Sequence, residues 1–216
     1  MNRELLVTDD LVGEAVRLFL EHAPRTICLS GGGTPRSVYE ALAGAPFDWS
    51  VAEVFFGDER CVPPTHADSN FRMVSEALLA RVPATVYPMP GATCDAEGYE
   101  RKLRERFGDV PWPRFDLAFL GLGEEGHTAS LFLGQPALEV ADRWAVQVPE
   151  PGQPPWHPRI TLTLPVLSAS ALGLFLVSGA SKREALGRLL AGDREIPAAR
   201  VTPERLVILA TPEAAG

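Results

Sequence analysis

His127 is the residue in this sequence best suited to acid–base chemistry, and it stands in the run Gly121-Leu122-Gly123-Glu124-Glu125-Gly126-His127-Thr128-Ala129-Ser130. An imidazole titrates near working pH, and a carboxylate two residues away, here Glu125, can orient the ring and stabilise its charged form. Gly121, Gly123 and Gly126 also fit a Gly-x-Gly-x-x-Gly dinucleotide loop, but two glutamates would then face the pyrophosphate, so a general base is the better reading. His22 falls on an expected helix, His157 lies in a Pro-rich loop, and His66 with Asp68 reads as ordinary loop. No His-x-x-x-His or His-Glu-x-x-His pair occurs, so no metal site is expected. No Gly-x-Ser-x-Gly elbow occurs either, so a hydrolase built on this chain is expected to use His-activated water.

Three further segments carry anion-binding chemistry. Ser30-Gly31-Gly32-Gly33-Thr34-Pro35 places three glycines where backbone N–H groups can point at an anion, with a helix start behind them. Gly57-Asp58-Glu59-Arg60 sets two carboxylates beside a guanidinium, a group able to hold hydroxyls and a phosphate, with Asn70 shortly downstream. Arg159 and Lys182 flank a long uncharged stretch. Each feature alone also fits a tight turn or a solvated charge.

The elements that must position these groups follow from periodicity. Leu11, Val12, Ala15, Val16 and Phe19 predict a helix over 10–21, and the apolar run 26–29 predicts a strand ending at the glycines. Strands are expected over 51–56, near 85–87, and over 115–120, 144–148, 160–164, 172–177 and 206–209. Helices are expected after Pro35, after Ser69, around Tyr99, Leu103 and Phe107, and over 181–190. This alternation predicts an α/β class, a Rossmann-like doubly wound, mostly parallel sheet with helices on both faces. In such a sheet ligands collect at the carboxyl ends of strands, where all four segments fall.

Composition narrows the function classes. The 20 Lys and Arg against 28 Asp and Glu leave a net charge of −8, which argues against a nucleic-acid-coating surface. The 19 Gly and 20 Pro stay below about a quarter of the chain, the level that marks low complexity. At 216 residues one domain, 1–216, is expected. Residues 160–181 are uncharged, yet Pro165, Gly173 and several hydroxyl residues interrupt them; strand, short helix and strand are expected there, not a membrane span. Cys28, Cys61 and Cys94 are sparse and odd in number, which predicts reduced thiols in a cytoplasmic protein and no disulfide. Nothing points to a dedicated partner, so a monomer is expected.

Taken together the four segments resemble the 6-phosphogluconolactonase family, which carries Ser-Gly-Gly-x-Thr-Pro, Gly-Asp-Glu-Arg with a downstream Ser-Asn, Gly-x-Gly-x-Asp-Gly-His-Thr-Ala-Ser-Leu-Phe, Arg-Ile-Thr-Leu-Thr and Ser-Gly-x-x-Lys. The chain supplies these in order as Ser30 to Pro35, Gly57 to Arg60 with Ser69-Asn70, Gly121 to Phe132, Arg159 to Thr163, and Ser178 to Lys182. The resemblance implies a glucosamine-6-phosphate deaminase-like fold and hydrolysis of 6-phospho-D-glucono-1,5-lactone in the oxidative pentose phosphate pathway, without metal or organic cofactor. It implies His127 as base, Glu125 as its partner in place of the usual Asp, and Asp58 at the sugar ring. Gly31, Gly32, Gly33, Thr34, Arg60, Asn70, Arg159 and Lys182 then bind substrate, mainly its phosphate. Two other functions are weighed. Glucosamine-6-phosphate deaminases typically continue Gly-His-Ile-Ala-Phe-Asn-Glu-Pro, and Thr128 to Phe132 lacks that extra carboxylate. A non-catalytic sugar-phosphate-binding protein needs no histidine.

Overall fold

In the computed structural model, which describes residues 2–216, the apolar runs become a seven-stranded parallel sheet. Along the chain β1 (Asn2–Val7) leads to α1 (Leu11–His22), β2 (Thr26–Leu29), α2 (Gly33–Leu42) and β3 (Glu53–Phe56). A short β4 (Asp58–Arg60) follows at once, then α3 (Asn70–Ala77), β5 (Thr85–Val86), α4 (Ala96–Phe107) and β6 (Leu117–Gly121). The rest holds β7 (Ala145–Val148), β8 (Arg159–Leu162), α5 (Leu164–Ser168), β9 (Leu172–Val177), α6 (Arg183–Ala191), β10 (Arg205–Ala210) and α7 (Pro212–Ala215).

The main sheet runs β1-β10-β9-β6-β2-β3-β5, with every pairing parallel. β2 and β9 bury every residue, as strands covered on both faces must. The chain builds outward from β2 through β3 to β5, then returns to the other side of β2 with β6 and β9. The crevice between the carboxyl ends of β2 and β6 is therefore the topological switch point, where ligands bind in such sheets. Local chemistry sets the helices: Asp10 Oδ1 accepts from the Gly13 amide at 2.8 Å to cap α1, and its apolar stripe buries Leu11, Ala15, Leu18 and Phe19.

Three features depart from the expectations. β1 and β4 are additional strands, and β4 pairs antiparallel with β8, itself antiparallel to β7, in a separate three-stranded sheet. The runs near 144–148 and 160–164 thus leave the parallel series. Residues 160–181 do form strand, short helix and strand, and among the described residues no helix is long and apolar enough to cross a membrane. The third departure concerns the cysteines: Cys61 and Cys94 are joined in a disulfide, their Cα atoms 5.0 Å apart. A separation of 33 residues gives no local sign of pairing; the end of β4 and the turn before α4 meet only in the folded chain. Cys28 remains a free, buried thiol whose burial pushes its pKa well above the usual value.

Candidate active site

Two buried tyrosines fix the strand ends from which the site grows. Tyr39 of α2 donates its hydroxyl to the Ser30 carbonyl and accepts from the Ser30 amide, both at 3.0 Å, which sets the start of the glycine loop. Tyr99 of α4 accepts from the Phe56 amide at 3.2 Å at the end of β3. The helix after the glycine loop begins without a side-chain cap at Gly32, so its first amides are available to an anion. At Gly31 a Cβ would fall 1.9 Å from Asn70 Oδ1, so any larger residue there displaces the Asn70 side chain.

The β4 segment divides its charges. Asp58 is buried; Oδ2 accepts from Ser130 Oγ at 2.6 Å and Oδ1 from Asn70 Nδ2 at 3.1 Å. Glu59 turns away from any ligand. Its carboxylate accepts from the amides of Arg60, Asn70 and Phe71, each at 2.7 Å, and from Ser69 Oγ at 3.0 Å. Burial raises its carboxyl pKa although these bonds pull the other way. The expectation of two acids shared with a ligand is therefore corrected: Glu59 holds the start of α3 and so places Asn70. Arg60 donates from Nη1 to the Asp68 carbonyl at 2.7 Å.

After β6 the loop folds back on itself, the Gly123 amide donating to the His127 carbonyl at 2.8 Å and the Gly126 amide to the Gly123 carbonyl at 3.0 Å. The imidazole lies directly over Gly123, where a Cβ would come within 2.0 Å of Nδ1. His127 Nδ1 is hydrogen-bonded to Glu125 Oε1. A carboxylate can only accept, so Nδ1 carries a proton, and in the neutral ring it is Nε2 that keeps the lone pair. Burial raises the Glu125 carboxyl, but the His127 hydrogen bond and charge, with Lys182 adding to them, hold it below its ordinary value.

His127 and Lys182 share one cleft of about 250 Å³ with Gly31 to Thr34, Asp58, Arg60, Asn70 and Arg159. The site residues expected from sequence therefore converge, save that Glu125 touches His127 and does not line the cleft. Arg159 is buried against Phe132, whose ring centroid lies 5.3 Å from its guanidinium carbon and 4.7 Å from the His127 ring. Arg159 Nη2 donates to the carbonyls of Gln153 at 2.8 Å and Pro155 at 3.2 Å, while its Nε is buried without a partner. Burial lowers its pKa and Arg60 adds to this, while Asp58 and Glu125 oppose it. Two residues were passed over in the sequence. Ser30 also lines the cleft with a buried, unpartnered Oγ, and Ser130 positions Asp58. Both lie inside the quoted segments, but nothing in the sequence distinguished their hydroxyls from the surrounding turn residues.

A family model described as glucosamine-6-phosphate isomerases/6-phosphogluconolactonase matches residues 6–209. The chain belongs to this family. Within it, the 6-phosphogluconolactonase of Synechocystis sp. is 40% identical over 231 residues, spanning 100% of this chain and 95% of the relative. That of Nostoc sp. is 38% identical over 88% of this chain and 83% of its own length. The crystal structure of 6-phosphogluconolactonase from Thermotoga maritima superposes with a TM-score of 0.86 at 32% identity, covering 97% of this chain and 99% of that one. A monomeric glucosamine-6-phosphate deaminase superposes with a TM-score of 0.81 at 20% identity over 100% and 99% of the chains, a likeness of fold alone.

Proposed function

We propose that the chain hydrolyses 6-phospho-D-glucono-1,5-lactone to 6-phospho-D-gluconate, as the family and its lactonase members support. The observation that carries this reading is His127, paired through Nδ1 with Glu125, in the same cleft as Arg60, Arg159 and Lys182. His127 Nε2 takes a proton from water, and the oxygen so activated adds to the lactone carbonyl carbon. The tetrahedral intermediate collapses as the ring C–O bond breaks, and the imidazolium returns its proton to the departing ring oxygen. The product carries one new hydroxyl and one new carboxyl group, which releases its proton to solvent. Glu125 keeps the ring in the productive tautomer and balances its positive charge.

The phosphate is held by Arg60, Arg159 and Lys182 with the amides of Gly31 to Thr34, and Asp58 and Asn70 face the sugar ring. Residues 1–216 act as one domain, since the cleft draws on segments from Ser30 to Lys182, and the chain acts as a monomer, which light scattering in solution tests. A phosphorylated lactone is too polar to cross membranes unaided, which favours a cytoplasmic enzyme.

The test is a lactonase assay corrected for spontaneous ring opening, run beside a deaminase assay with glucosamine 6-phosphate. Turnover of the lactone alone is the expected result. Release of ammonia from the amino sugar, with no lactone turnover, overturns the proposal.

A further inference from the structure

A second group of metal-ligating side chains lies outside the catalytic cleft. His66 and Asp68 sit between β4 and α3, and His157 on the segment entering β8. His157 Nε2 stands 3.0 Å from Asp68 Oδ2, and His66 Nδ1 stands 3.8 Å from the same oxygen. One ligand atom from each residue lies within 4.8 Å of the other two, and the imidazole rings cross edge to face with centroids 5.2 Å apart. Donors around a tetrahedral ion with bonds of about 2.0–2.2 Å stand roughly 3.3–3.5 Å apart, so shifts of about an ångström complete the arrangement.

The donor set selects the ion. Two imidazoles and a carboxylate suit zinc and neighbouring divalent transition ions, whereas magnesium and calcium take oxygen shells. His66 Nδ1 accepts from the Asp68 amide at 3.1 Å, so its proton is on Nε2 and Nδ1 is in the form a metal binds. That amide is released when the ion enters, and His157, whose Nε2 faces the Asp68 carboxylate, carries its proton on Nδ1 in the metal-bound form. All three side chains are partly exposed, so the ion reaches them without opening the core.

We propose that His66, Asp68 and His157 bind one divalent transition-metal ion, zinc above all, with water completing the coordination. The ion cross-links two segments that present the cationic side of the cleft. On one, the Asp68 carbonyl accepts from Arg60. On the other, Arg159 follows His157 by two residues and gathers the carbonyls of Gln153 and Pro155. The site contributes no group to the reaction; bound metal raises thermal stability and leaves kcat unchanged.

The test titrates chelator-treated full-length chain with zinc chloride by calorimetry, with thermal unfolding in parallel, for wild type, His66→Ala, His157→Ala and His127→Ala. Wild type and His127→Ala are expected to bind a single equivalent and to gain melting temperature. His66→Ala and His157→Ala each bind about tenfold or more weakly and lose the thermal gain, while their metal-free lactonase activity matches metal-free wild type. Absence of zinc binding by wild type overturns the proposal. So does unchanged affinity in both histidine variants, or a loss confined to His127→Ala, which puts the ion on the catalytic imidazole.

Discussion

Arg60 and Arg159 are direct partners in the antiparallel ladder between β4 and β8, so two guanidiniums stand on the same side of one small sheet. Like charges placed opposite one another destabilise a ladder unless an anion lies between them. Inorganic phosphate is expected to raise the melting temperature of wild type, and Arg159→Gln to lose most of that rise. The same variant raises KM for the phosphorylated lactone roughly thirtyfold, about 2 kcal/mol of lost charge pairing. Unchanged phosphate stabilisation in Arg159→Gln argues against the pair as an anion clamp.

His127→Ala is expected to lower kcat roughly 10²–10⁴-fold, the usual contribution of a general base. Its side chain is 24% exposed, packs on Phe132 and pairs with Glu125, so the urea midpoint falls modestly while the chain still folds. Near-normal turnover after correction for spontaneous opening removes the proposed base.

Glu125 gives a pH signature in stability. Its folded-state carboxyl titrates below the ordinary value of 4.5, so the unfolded chain binds the proton more readily as pH falls. The stabilisation is complete above about pH 5.5 and is lost as acid carries the group through its folded pKa. Glu125→Gln is therefore expected to be less stable than wild type at neutral pH and to converge with it in acid, read by urea unfolding at a series of pH values. Parallel curves at all pH values contradict the pairing.

Lys182 follows β9 of the parallel sheet and lines the same cleft as the arginine pair of the antiparallel one. Lys182→Ala is expected to raise KM for the phosphorylated lactone by about tenfold, with a smaller change for unphosphorylated glucono-1,5-lactone. Equal losses for the two substrates exclude a phosphate contact.

The Cys61–Cys94 link closes a loop across 33 residues and follows Arg60 directly. Cys61→Ser is expected to lower unfolding free energy by up to about 4 kcal/mol, and reductant to lower the melting temperature of wild type but not of the variant. Equal responses of the two proteins to reductant rule out a stabilising bond.

The parallel sheet and the two glycine-containing loops at its strand ends were legible because each rests on contiguous signals: an apolar run, a glycine turn, then helical spacing. His127 with Glu125 is a local pair of the same kind. The antiparallel sheet was not legible, since Asp58, Glu59 and Arg60 are all charged and read as a loop until β8, about a hundred residues later, pairs with them. Glu59 illustrates the limit at a single residue. Three of its four hydrogen bonds go to groups at the start of α3 and the fourth to the Arg60 amide, and no spacing rule tells an acid bound to backbone amides from one facing a ligand. The His66, Asp68 and His157 group is equally non-local, joined across a separation of 89 residues.

The imidazole follows a strand of the parallel sheet, while Arg60 and Arg159 belong to the antiparallel one, and the two sheets share no strand. The proposed proton transfer and charge recognition thus rest on separate parts of the fold. Insertions within 149–158, whose Gln153 and Pro155 carbonyls hold Arg159, would reach the proposed anion pocket without displacing the proposed base.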